Sequence, residues 1–179
     1  MMQPSVRHLV RLSLALLVPL AAVGCSESTS APADEGEPVA FDRLGGFFPA
    51  VCSGFDVAQT MVIRSQEEWN GFWDRFQPAN QRVAPPSVDF EARMVAVMAL
   101  GTRSTGGYTV EVAQVREMDD GTLVVRANES IPGDNCTVTQ AQTRPLDAVL
   151  IPSSDSPVEF EAEARVYGCS TGYNDDGGY

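Results

Sequence analysis

The run Gly101-Thr102-Arg103-Ser104-Thr105-Gly106-Gly107-Tyr108 is the one local stretch whose residue types could do more than pack. Paired glycines permit positive φ and close backbone approach, so the run can present backbone amides. Arg103, Ser104, Thr105 and Tyr108 add a cation, two hydroxyls and an aromatic ring. That is equipment for binding, since function sits preferentially on loops held by rigid sheets. The same glycines also suit a tight connection between two strands, with Tyr108 restarting the strand. Taken alone, the run is read first as that connection.

Composition removes most catalytic chemistry. The chain of 179 residues has 12 basic groups, all arginine, and 24 acidic ones. Without lysine there is no Schiff base and no Walker-type phosphate lysine. The single histidine, His8, lies in a segment that reads as a removable signal. The mature chain then has none, which excludes Ser-His-Asp and Cys-His sites and every His-ligated zinc. Its balance is 10 Arg against 24 acids, or −14. Carboxylate pairs such as Asp119 with Asp120, or Glu159 with Glu161, fall in a turn or on a solvated strand face, whereas glycosidase chemistry needs two carboxylates across a cleft. The expectation is a protein that is not an enzyme, with no metal and no cofactor. A net charge of −12 also excludes a nucleic-acid partner, which requires a clustered basic surface.

Residues 1–24 have the layout of a lipoprotein signal. Arg7, His8 and Arg11 form a positive start, and the apolar run from Leu12 to Val23 is too short for the ~20 residues of a bilayer span. Ala22-Val23-Gly24-Cys25 then resembles a bacterial lipobox, whose cysteine takes the lipid, here Cys25. Diacylglycerol and an added acyl chain such as palmitate would anchor the protein stably. Ser26 carries no Asp-type inner-membrane retention signal, so the outer membrane or cell surface is favoured.

From Ser26 to about Pro38 the chain has no large apolar residue and reads as a tether, within a linker taken as 25–51. Phe41, Leu44, Phe47 and Phe48 in that linker could dock on the domain. The domain itself is placed at 52–170, with a loose tail at 171–179. Its clearest element is a helix over 66–76. Ser65 and Glu68 form a capping box, and Trp69, Phe72, Trp73 and Phe76 make one stripe that must lie on a sheet. Strands are expected at 55–64, 94–100, 108–117, 123–128, 140–151 and 158–167. Met94 to Leu100 is apolar on both alternating faces, so the helix alone cannot cover the sheet: curling, a second layer or a partner must do the rest. Asp119-Asp120-Gly121 signals a hairpin, and the run from Pro152 to Pro157 another turn. In the last strand Val158, Phe160, Ala162, Ala164 and Val166 are expected to face in. The fold class is α+β: a β-rich, mostly antiparallel sheet domain with one amphipathic helix packed on it.

Besides Cys25, three cysteines remain: Cys52, Cys136 and Cys169. An exported chain favours one disulfide and one leftover thiol. Counting out from a turn near 154–155 brings position 169 close to 140, with Cys136 just beyond. Cys136–Cys169 is therefore preferred, and Cys52–Cys136 is the alternative.

Several segments together resemble the C-terminal domain of the PrcB family. They are Val62-Ile63-Arg64-Ser65, the helix with Glu68 and Trp69, Val88-Asp89-Phe90, the run Gly101 to Tyr108, Leu123-Val124-Val125, and Arg144-Pro145 before Val149-Leu150-Ile151-Pro152. The resemblance spans about residues 55 to 165, and the Thr-Gly-Gly-Tyr core is its most specific part. That family is named for a lipoprotein subunit of a bacterial cell-surface protease complex. The resemblance implies a non-catalytic, lipid-anchored subunit that binds or stabilises an envelope protein, an exported protease among the candidates. Contact is expected through Arg103, Ser104, Thr105, Gly106, Gly107 and Tyr108. The alternative is a peptidase inhibitor, because the loop 102–108 is also similar to the Thr-Thr-Gly-Tyr loop of chagasin-like cysteine-protease inhibitors, although those lack the Trp-rich helix.

Overall fold

A strand apolar on both faces forces the architecture, because each face needs its own cover. The computed structural model, which describes residues 36–77 and 83–169, supplies two covers. The elements in order are β1 (Glu37–Pro38), β2 (Asp42–Arg43), β3 (Gln59–Ile63), α1 (Gln66–Phe76), β4 (Arg93–Ala99), β5 (Thr109–Glu117), β6 (Leu123–Pro132), β7 (Leu146–Pro152) and β8 (Val158–Tyr167). They form two four-stranded sheets, ordered β2-β7-β4-β3 and β1-β5-β6-β8. The first carries α1 on its outer side and is called here the helix-backed sheet; the second is the facing sheet.

The alternation of β4 sorts its side chains between the two covers. Val95, Val97 and Ala99 join the cluster beneath α1, with Trp69, Phe72, Trp73, Phe76, Phe55 and Phe48. Met94, Ala96, Met98 and Leu100 join the cluster between the sheets, with Val110, Val112, Val115, Val125, Val149 and Ile151. The expected α+β, sheet-dominated class is what is found, and the second layer that β4 requires is the facing sheet.

The helix starts and stops where its chemistry says. Ser65 Oγ accepts from the Glu68 amide at 3.2 Å, and Glu68 Oε2 accepts from the Arg64 amide at 2.8 Å. Gln77 leaves the helical conformation, its N–H still donating to the Trp73 carbonyl. All four stripe aromatics are buried, and the indole N–H groups of Trp69 and Trp73 donate to the carbonyls of Pro86 and Val83. Those bonds satisfy the polar edges of two large buried rings and lash the returning chain along the helix.

Four expectations change. The segment placed in the linker contributes β1 and β2, one to each sheet, and buries Leu44 and Phe48, so strand pairing begins at Glu37, upstream of residue 52. The strands placed at 55–64 and 140–151 are regular only over Gln59–Ile63 and from Leu146. The turn between Pro152 and Pro157 is no hairpin: β7 belongs to the helix-backed sheet, while β8 crosses to the facing sheet and runs parallel to β6. In β8 only Val158 and Phe160 reach the core between the sheets; Ala162, Ala164 and Val166 are exposed. A period-2 pattern sets which face a side chain takes, but the extent of the opposite sheet decides whether that face is covered.

Candidate functional site

The Gly101–Tyr108 run leaves β4 at the edge of the sandwich and is bonded down along most of its length. The Thr102 amide donates to Asp56 O at 2.9 Å, and Arg103 and Thr143 exchange backbone bonds at 2.8 and 3.1 Å. Thr143 Oγ1 donates to Thr105 O at 2.8 Å, and the Gly106 amide donates to Thr139 O at 2.9 Å. Tyr167, at the end of β8, donates its hydroxyl to Gly107 O at 3.0 Å.

These neighbours explain both glycines. A Cβ on Gly106 would collide with the Thr139 side chain. Gly107 has φ +89° and lies against Tyr167, Val138 and Pro132. The Thr-Gly-Gly-Tyr core therefore presses the run onto the connection after β6 and onto the tip of β8.

The six expected contact residues differ in what they leave available. Arg103 is largely occupied: one guanidinium nitrogen donates to Leu100 O at 2.7 Å, another pairs with Glu129 at 2.9 Å, and the group lies 5.7 Å from the centre of the Tyr108 ring. Thr105 and Tyr108 are half-buried and Gly106 is buried. Ser104 and Gly107 face solvent, as does Thr102 beside them. What the run presents is a rigid rim of small groups with a held arginine and a half-open tyrosine.

Beneath that rim lies the disulfide. Cys136 and Cys169 are bonded, with Cα atoms 4.9 Å apart, and Cys52 is free and exposed. The preferred pairing stands, but by a different route. β6 and β8 are parallel with Pro132 opposite Tyr167, so the two cysteines lie just past equivalent ends of neighbouring strands, not across a β7–β8 ladder. Gly133 N–H to Tyr167 O at 2.9 Å and Asn135 Nδ2 to Cys169 O at 2.7 Å finish that end.

A second polar feature lies between the sheets and was not foreseen. Asp147 of β7 is fully buried, on the face it shares with Val149 and Ile151. Its carboxylate accepts from Arg43 at 2.9 Å, from the Val112 amide at 2.7 Å and from the Ala148 amide at 2.9 Å. Val112 adjoins the register shift in the β5–β6 ladder, and there its amide turns to Asp147. Arg43 also pairs with Glu111 and donates to Val112 O, both at 2.8 Å. Burial pushes the Asp147 carboxyl above the usual carboxylate range, while the Val112 amide and Arg43 pull it back. The signal for this clamp was present as the lone acid in the apolar run Leu146–Ile151, but its partners lie 35 and 104 positions away.

The other singled-out groups have structural explanations. Arg144 pairs with Asp56, next to Cys52. Asp120 Oδ1 accepts from the Thr122 amide at 2.9 Å in the β5–β6 turn, and that bond lowers its pKa. Glu159 and Glu161 lie on one exposed face of β8, not across a cleft. Among the described residues, no group of three or more His, Cys, Asp or Glu is placed to hold a metal. Cys25, the signal at 1–24 and the tail at 171–179 lie outside the described residues.

The family model described as PrcB C-terminal matches residues 94–152, from β4 through β7, which is 59 of the 179 residues. It includes the whole Gly101–Tyr108 run, and it is the family that the sequence resembles. No curated protein and no solved structure matches the chain.

Proposed function

We propose that this chain, matched to the PrcB C-terminal family over β4–β7, is a non-catalytic binding subunit of the bacterial envelope, held by lipid on Cys25 and serving a protein partner such as an exported protease. The observation that carries the reading is the Gly101–Tyr108 rim: a family-matched run whose backbone is fixed by the neighbouring connection and by β8, while Thr102, Ser104 and Gly107 face outward. A pre-ordered rim loses little entropy on binding, which suits contact rather than turnover.

The anchor and address are part of the proposal. Among the described residues no helix is long and apolar enough to cross a membrane. The lipobox-like Ala22-Val23-Gly24-Cys25 offers attachment by acyl chains instead. A disulfide agrees with export to an oxidising compartment, with the outer membrane or cell surface as the favoured address.

The test is crosslinked capture of the full chain from bacterial membranes, paired with titration of subtilisin-like and papain-like proteases by the purified chain. A recurrent envelope protein, captured without inhibition of either protease, is the expected result. Stoichiometric inhibition would favour the inhibitor reading. Recovery of the chain alone under several crosslinking conditions would end the subunit reading.

A further inference from the structure

Of the four strands that end a sheet, β1 and β2 have two residues each, β3 has five and β8 has ten. Proteins usually protect such edges by keeping them short, bulged, charged or interrupted by proline. β8 is long, unbulged and free of proline, and its protection of this kind is the charge on its outward face. Its register with β6 runs unbroken from Leu123–Val158 to Pro132–Tyr167, and the disulfide pins its far end. Among the described residues its other edge is unpaired.

The two faces of that edge differ sharply. On the inward face the core ends at Phe160, and the strand continues as Ala162, Ala164 and Val166, the last 70% exposed. On the outward face Glu159, Glu161 and Glu163 alternate before Arg165. Arg126 pairs with Glu161 at 2.7 Å and Arg165 with Glu163 at 2.9 Å, so the three carboxylates are only partly balanced.

We infer that the free edge of β8 is a docking strand that accepts an extended basic segment of another protein as a fifth strand of the facing sheet. Backbone bonding would supply affinity, as in other strand additions. An incoming strand alternating Arg or Lys with small apolar residues would set its cations beside Glu159, Glu161 and Glu163 and its apolar groups beside Ala162, Ala164 and Val166. Charge complementarity selects this occupant over an acidic one. A second copy is a poorer fit: it brings one arginine, Arg165, to three carboxylates, so antiparallel pairing about Ala162 sets Glu161 against Glu163 twice even as Glu159 meets Arg165 twice. The inference rests on the binding-subunit reading and names where the partner is held.

The probe is a synthetic peptide alternating Arg and Val, with a Glu–Val peptide as control, added to the full chain and followed by binding isotherm and amide hydrogen exchange. Binding of the basic peptide alone is expected, with slowed exchange at amides within 158–167. The double variant E159R/E163R, at two exposed positions, should weaken binding about tenfold or more while leaving the melting transition in place. Unchanged exchange in β8, equal binding of both peptides, undiminished binding by the variant, or pairing of the chain with itself through β8 would overturn the inference. If membrane capture still yields a partner and E159R/E163R captures it equally, only the edge assignment fails. If no partner is captured at all, the subunit reading fails.

Discussion

The two sheets of this sandwich meet solvent in opposite ways. In the helix-backed sheet, β4 and β7 are buried on both faces, by four aromatics of α1 on one side and by the facing sheet on the other. The facing sheet has one covered face and ends in a strand that outruns its cover. Both sheets have four strands, so strand number does not set the difference. It comes from what lies opposite each residue. The helix-backed sheet, buried on both faces, is where substitutions should cost most stability. The facing sheet, with the Gly101–Tyr108 rim at its margin, leaves its last strand exposed, and contact is proposed there.

That division can be broken by mutation, and the largest effect belongs to the helix-backed sheet. Trp69 is fully buried, stacks on Phe72 at 5.2 Å and anchors Pro86 O. Trp69→Ala should cost about 3–5 kcal/mol in denaturant unfolding, the usual range for emptying a large aromatic site. A loss below about 1 kcal/mol would mean that α1 is peripheral.

Next is the bridge at the end of the facing sheet. Replacing Cys136 and Cys169 together by Ala should cost about 2–4 kcal/mol, given their sequence separation of 33. Amides at 133–139 and 165–169 should lose exchange protection, and those of β4 should keep it. Loss spread evenly over both sheets would merge the two regions into one unit.

The clamp joining the sheets comes third and is read by sign. Because burial raises the Asp147 pKa, the folded state holds the proton over a window that opens upward from the ordinary aspartate value. The associated stability is complete below that window and is lost as pH rises through the folded pKa. Asp147→Asn does not titrate, so its melting temperature should gain on the wild type as pH rises across the window. A wild type that gains on the variant would show that Arg43 outweighs burial.

Smallest is the rim. Ser104 is exposed, and its side chain is outside the bonds that hold the run. Ser104→Ala should change stability by no more than about 0.5 kcal/mol, and it should weaken partner capture if the rim makes contact. A clear loss of stability would make this position structural.

Local patterns foretold local structure well. The capping box and the aromatic stripe set α1 at 66–76, and Asp119-Asp120-Gly121 set the β5–β6 turn. The two apolar faces of β4 foretold a second cover without naming it. Failures came where an outcome depends on which sheet a strand joins. The prolines at 152 and 157 mark a change of direction, and a change of direction is equally compatible with a hairpin and with a crossing. The cysteine pairing survived that error because a parallel β6–β8 ladder also brings the strand ends together. At the rim, the glycines were legible as close-approach residues, but Thr139 and Tyr167, the groups they approach, were not. Asp147 was visible as a lone acid, but Arg43 and Val112 come to it only through the fold.

The most direct test of the division is hydroxyl-radical footprinting of the full chain in its native membranes and again after purification in detergent. Tyr108, Val166 and Tyr167 should be labelled less in membranes than after purification, while Phe47, exposed beside α1, should be labelled alike in both. Equal labelling of the rim and β8 in the two states, or protection centred on the helix side, would contradict the account.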